Sequence, residues 1–193
     1  RKHGIGTLWH ADGTIYKGNF INDTIEGSGK MTFAAGTAIE ESYDGQWLAG
    51  EKHGRGTYVY RASVGEVYNG DWDHGIRHGA GKLIFRDGSC YVGDFVREQM
   101  HGRGVMAWPD GTQYDGDFVR GQRTGRGTLL TRDGSIFVGG FLDGKKHGAG
   151  QITYLSGGSY SGVWEHDSVR GARGTFALPA PGGSKLNVSV FGY

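Results

Sequence analysis

Glycine returns so often along this chain that no helix of ordinary length has room to form. The longest stretches without one are eight residues, as in 19–26 and 94–101, and glycines make up 39 of the 193 residues. An interior glycine costs a helix about 0.8–1 kcal/mol relative to alanine, and globular helices run to about eight to twenty residues. Collagen is excluded too, because glycine does not fall at every third position and only 3 prolines are present. A disordered linker is equally excluded: 5 Trp, 10 Tyr and 9 Phe are more than such segments carry. An ordered structure must be using glycine and aromatic side chains together.

The glycines are positional. An aromatic-x-Gly-x-aromatic unit recurs at Tyr16–Phe20, Tyr43–Trp47, Tyr68–Trp72, Tyr91–Phe95, Tyr114–Phe118, Phe137–Phe141 and Tyr160–Trp164, with lead aromatics spaced 27, 25, 23, 23, 23 and 23 residues apart. Eleven residues after each lead aromatic stands a first glycine: Gly27, Gly54, Gly79, Gly102, Gly125, Gly148 and Gly171. A second follows two residues later at Gly29, Gly56, Gly81, Gly104, Gly127 and Gly150. The last unit slips phase, with Arg173 in the second slot and Gly174 one residue late. Asp12-Gly13, Asp87-Gly88, Asp110-Gly111 and Asp133-Gly134 separate the units and read as hairpin turns. The extra residues of the two long spacings fall at the same joint, around Ala38–Glu41 and Ala62–Gly65.

This pattern predicts two short antiparallel strands per unit. Aromatic, glycine and aromatic at alternate positions share one face of the first strand. The second strand carries both glycines and then alternating apolar residues such as Leu83 and Phe85. A joining loop of roughly six residues sets the second aromatic opposite the first glycine of its own unit and the second glycine of the preceding one. The glycines would then clear space for each ring to lie down. Valine at Gly102 or Gly125 is therefore expected to destabilise the array more than any change at Cys90.

Tyr-x-Gly-x-Trp/Phe, then His-Gly-x-Gly, then an Asp-Gly turn at this period resembles the MORN repeat (membrane occupation and recognition nexus). Tyr43–Gly56 and Tyr91–Gly111 are close examples. The resemblance implies an all-β fold: an elongated single-layer twisted ribbon of consecutive antiparallel β-hairpins. Residues 1–15 read as the truncated end of a preceding repeat, 16–174 as seven repeats, and 175–193 as a C-terminal cap or dimerisation tail. Because it starts at Arg1, the chain is read as the interior of a longer protein.

Several chemistries find no support. His3, His53, His78, His101 and His147 share one slot. Two strands per repeat would separate equivalent positions by about 9.6 Å, so neighbours in this slot cannot share an ion, and no metal or cofactor is expected. Cys90 occupies a tolerant position, and Gly27-Ser28-Gly29-Lys30 lacks the helix that a phosphate loop needs. No catalytic constellation stands apart from the repeat. With Lys+Arg 21 against Asp+Glu 20 there is no global field to recruit nucleic acid, and no apolar run reaches the ~18 residues of a membrane span.

The remaining candidates concern binding. Lys52, Arg55, Arg77, Arg103, Arg123, Arg126, Lys145 and Lys146 gather around one loop row, a basic rim suited to phosphoinositide headgroups or acidic protein segments. Residues 185–190 alternate like one more strand, which would cover a sheet edge or pair with a second chain. Trp164, Phe176, Leu186, Val188, Val190 and Phe191 are the candidate dimer interface. The expected function is a non-catalytic scaffold that self-associates through its C-terminal end. The resemblance extends this to cytoskeletal or scaffold partners and a cytoplasmic, cytoskeleton-associated or membrane-peripheral location, as for MORN proteins of protozoan parasites. A phosphoinositide-binding module and an accessory array of a larger enzyme are the alternatives.

Overall fold

The computed structural model describes residues 1–61, 65–179 and 185–190. The chain divides into two compact units, Arg1–Gln99 and Met100–Tyr193. The first holds β1 (Gly4–Trp9), β2 (Ile15–Ile21), β3 (Thr24–Phe33), β4 (Glu41–Leu48), β5 (Glu51–Tyr60), β6 (Glu66–Asp73), β7 (Ile76–Ile84) and β8 (Cys90–Val96). The second holds β9 (Gln99–Ala107), β10 (Gln113–Val119), β11 (Gln122–Leu130), β12 (Ile136–Leu142), β13 (Lys145–Thr153), β14 (Ser159–Glu165), β15 (Ser168–Pro179) and β16 (Lys185–Val190). Within each unit the strands lie side by side in chain order, every neighbour antiparallel, as one open sheet. Among the described residues there is no helix.

The expected six-residue loop is not there. Each repeat instead turns in two residues with left-handed backbone, such as His74 (φ 46) and Gly75 (φ 84), or Asp143 (φ 49) and Gly144 (φ 80). These are type I′ angles, whose twist matches that of the flanking strands. The surplus length is absorbed by a bulge: two steps of β6, Gly70 to Trp72, oppose four of β7, Gly81 to Arg77. The first glycine sits in this bulge with positive φ, for example +66 at Gly79 and +57 at Gly125. The phase slip at the last repeat is absorbed in the same place, since two steps of β14, Gly162 to Trp164, oppose five of β15, Gly174 to Val169.

The register therefore differs from the expected one. The second aromatic faces the first glycine of the preceding repeat, as in Trp72↔Gly54, and not that of its own. The central glycine pairs with the second glycine of its own repeat, as in Gly70↔Gly81. The ring that lies on glycine is the lead tyrosine. A β-carbon on Gly70 would stand 2.5 Å from Tyr68 Oη and 2.5 Å from Gly81 Cα, and one on Gly81 would stand 2.5 Å from the same hydroxyl. Tyr16, Tyr43, Tyr68, Tyr91 and Tyr114 are all 0% exposed despite standing on a single sheet.

Trp47, Trp72, Phe95, Phe141 and Trp164 each pack edge-on against two lead rings, their own and that of the preceding repeat, and Phe20 packs on Tyr16. Trp72 meets Tyr68 at 5.1 Å and Tyr43 at 5.3 Å; Phe141 meets Phe137 at 5.4 Å and Tyr114 at 4.9 Å. Edge-to-face pairs of this kind contribute about 0.5–1.5 kcal/mol beyond the area they bury. The lead hydroxyl reaches the bulge, where Tyr43 donates to the Gln46 carbonyl (2.9 Å) and Tyr114 to that of Asp117 (3.1 Å). Side chains at the fourth position satisfy backbone donors freed by the bulge: the Arg55 N–H donates to Gln46 Oε1 and the Arg126 N–H to Asp117 Oδ2. The Asp-Gly joints close as anticipated, with Asp87 Oδ1 accepting from the Ser89 N–H and Asp133 Oδ1 from the Ser135 N–H.

Candidate binding surface

Strand alternation gives the repeat two unlike faces. Across each two-residue turn, the residue opposite the second aromatic lies on the ring face: Lys52 opposite Trp47, Arg77 opposite Trp72, Arg123 opposite Phe118 and Lys146 opposite Phe141. These cations lie along the rings. Lys52 Nζ is 4.1 Å from the Trp72 centroid and 4.6 Å from that of Tyr58, while the Arg123 guanidinium is 5.5 Å from Tyr114. Burial holds the Lys52 ammonium and the Arg123 guanidinium below their ordinary pKa values. Arg77 is clamped by Glu98, its Nε donating to Oε2 at 2.7 Å.

Arg55, Arg103 and Arg126 are exposed on the opposite face, and Lys145 is exposed beside the turn. Arg55 pairs with Asp71 at 3.2 Å and Arg103 with Asp115 at 3.1 Å. The basic residues thus form no single rim but divide between two faces. The expected loop concealed this; read as strand, residues 52 and 55 fall on opposite sides.

The face opposite the rings also carries exposed aliphatic side chains that the sequence reading missed. Ile21, Leu48 and Val96 follow second aromatics in the first unit, and Val119 and Leu142 do so in the second; all are 39–48% exposed. Period-2 alternation from each ring would have found them. In the second unit a shallow groove of about 390 Å³ crosses this face over Gly127, Gly139 and Gly150, walled by Arg103, Asp115, Arg126, Thr128, Val138 and Gln151. A smaller one of about 250 Å³ in the first unit runs between Arg55, Asn69, Ala80, Val92 and Asp94. The backbone of the ring-facing glycines makes the floor, since a β-carbon on any of them would point to the other face, and the strand neighbours make the walls.

The family comparison falls on the same repeating units. The MORN repeat model matches residues 1–15, 16–38, 43–62, 68–90, 91–113, 114–136 and 137–159. The chain belongs to the MORN-repeat family. MORN repeats are non-catalytic modules, and the array is a protein-interaction scaffold in kind. No curated protein matches it. Among solved structures, the TCP domain of Drosophila melanogaster SAS-4, in complex with a proline-rich motif of Ana2, is similar at 13% identity over 95% of this chain and 88% of that one, with a TM-score of 0.49. The G-box domain of the microcephaly protein CPAP is similar at 13% identity over 92% of this chain and 100% of that one, with a TM-score of 0.47.

At the C-terminal end, β16 folds back on β15 with Phe176 opposite Val188. Trp164, an expected interface residue, is a core residue, 4% exposed and 4.9 Å from Phe137. Phe176 is 37% exposed against Tyr160. Leu186, Val188 and Val190 belong to β16 by backbone alone, and Phe191 lies outside the described residues. No helix among the described residues is long and apolar enough to cross a membrane.

Proposed function

We propose that this MORN array docks an extended, acidic protein segment on the face opposite its rings. The observation that carries this reading is the groove of the second unit. It offers the exposed Arg126, whose guanidinium has no carboxylate within 4 Å among the described residues, beside the apolar wall of Val138. Mixed arginine and aliphatic walls over an open backbone floor suit a peptide with alternating acidic and branched residues. Fluorescence anisotropy with a labelled Glu/Val-alternating peptide tests it. Arg126→Glu should weaken binding by about tenfold or more, and equal binding by parent and variant would end the reading.

Self-association through the C-terminal end is the second element. The outer edge of β16 has no partner strand among the described residues, and an unpaired edge is a template for another chain. Such a scaffold would hold cytoskeletal or membrane-adjacent partners at fixed spacing. Light scattering on the chain with and without residues 175–193 should give a dimer mass for the first only. Equal masses would remove this element.

A phosphoinositide reading retains one specific support. Arg123 donates to the Gly144 carbonyl of the Asp143–Gly144 turn, Lys145 and Lys146 follow that turn, and none of the three cationic groups has a carboxylate within 4 Å among the described residues. Binding to phosphoinositide vesicles that fades with salt would favour it; no sedimentation even at low salt would exclude it.

A further inference from the structure

Three side chains from consecutive repeats meet on the face opposite the rings: His53 in β5, Asp73 at the end of β6 and His74 in the turn that follows. One nitrogen or oxygen of each lies within 4.8 Å of the other two. Nδ1 of His53 is 3.7 Å, and Nε2 of His74 3.9 Å, from Asp73 Oδ1. Both separations are too long for hydrogen bonds. They sit close to the roughly 3.3–3.4 Å that separates two ligand atoms each about 2.0–2.1 Å from a tetrahedral zinc.

Two further observations point to an ion. His53 Nδ1 is a buried atom with no hydrogen-bond partner, a condition that native proteins rarely leave unexplained. His74 turns its other nitrogen, Nδ1, to Glu51 Oε2 at 3.0 Å. A carboxylate there places the proton on Nδ1, by assignment from the hydrogen bond, and leaves the Nε2 lone pair facing Asp73. The backbone is fixed on both sides, because the Gly75 N–H donates to the Lys52 carbonyl at 2.9 Å and Trp72 pairs with Gly54.

We propose that His53, Asp73 and His74 bind one borderline divalent cation of the zinc type, with Glu51 orienting His74. Two imidazoles and one carboxylate suit zinc, cobalt(II) or nickel and not magnesium or calcium. The three side chains are 38%, 50% and 67% exposed, so solvent supplies the remaining ligand. The ion clamps β5 to the turn of the next repeat. Histidines in the shared slot do not meet one another; the second imidazole comes from a turn, outside that slot.

The molecule holds its own control. His147 in β13 and His166 in the β14–β15 turn occupy the equivalent positions, with ring centroids 5.4 Å apart against 5.6 Å for His53 and His74. His147 Nδ1 is likewise unpartnered. The carboxylates differ: Lys145 stands where Glu51 does, and Glu165, in the place of Asp73, is held by Arg170 at 3.3 Å. The orphan nitrogen alone does not make the site; the free carboxylate does.

The test is titration of zinc alone into the whole chain, read by calorimetry and by competition with a chromogenic chelator. One ion per chain should bind. Asp73→Asn and His53→Ala should each weaken binding at least tenfold, and Glu51→Gln about tenfold, as expected for an orienting partner. His147→Ala should leave it unchanged. His74→Asn guards against misfolding, since asparagine accepts the left-handed backbone at this position (φ 46); its zinc-free melt should match the parent while zinc binding is lost. Absence of saturable binding, retention of binding in both His74→Asn and Asp73→Asn, or its loss in His147→Ala would each overturn the proposal.

Discussion

Two consecutive repeats of the second unit solve the same packing problem with different parts. In the repeat led by Tyr114, the hydroxyl donates to the carbonyls of Asp117 (3.1 Å) and Thr124 (3.3 Å), and Asp117 Oδ2 accepts the Arg126 N–H. In the next, Phe137 has no hydroxyl and Gly140 no carboxylate, so all three hydrogen bonds are missing. The backbone is nevertheless the same, with Gly116↔Gly127 and Gly139↔Gly150 paired and a bulge beside each. Phe137 is 1% exposed where Tyr114 is 0%. The ring lying on paired glycines survives the loss of its polar contacts, so sterics set the repeat and hydrogen bonds adjust it.

The largest effect should come from filling the space under the lead ring. Gly127→Val and Gly150→Val each put a side chain into the ring above, Tyr114 or Phe137. Each should cost about 3 kcal/mol or more in urea denaturation, and by similar amounts, because both repeats share the steric element. A bulge glycine should matter less: Gly125→Ala forces a side chain to φ +57 beside Asp117, for about 1–3 kcal/mol.

Exchanging the lead residues separates the polar element. Tyr114→Phe leaves two carbonyls without their donor and should cost about 1 kcal/mol. Phe137→Tyr offers a donor to the Gly140 carbonyl and should gain up to about 1 kcal/mol by the same measure. If both swaps cost equally, the two repeats differ by more than a hydroxyl.

The smallest effect is read by pH. Burial raises the Tyr114 hydroxyl from its ordinary value of 10.0 to about 12. A group raised on folding contributes stability that is complete below its unfolded pKa and lost as pH climbs through the folded one. The array should therefore weaken between about pH 10 and 12, and less steeply in Tyr114→Phe. Tyrosinate absorbance followed alongside circular dichroism would show it.

Much of this was legible because the repeat exposes its own phase. The period, the two strands per unit and the Asp-Gly joints follow from spacing alone. The two-residue turns did not, because Ala49 and Arg120 adopt left-handed backbone that their residue types do not announce, and His74 and Asp143, which tolerate it, fall among residues read as loop. The glycine after each of them was the available signal. Reading those residues as loop hid the alternation that puts Lys52 and Arg55 on opposite faces. It also hid the approach of His74 to His53, which needs the turn of one repeat docked on the strand of another.

Glycine is present to make room for the lead ring, and a double-mutant cycle reads that relation out. Gly127→Ala is introduced alone and together with Tyr114→Leu, which removes the ring atoms that the new methyl would strike. The alanine should cost far less in the leucine background, a coupling on the order of 2 kcal/mol. Additivity to within about 0.5 kcal/mol would contradict it, and the glycines would then owe their positions to backbone conformation alone.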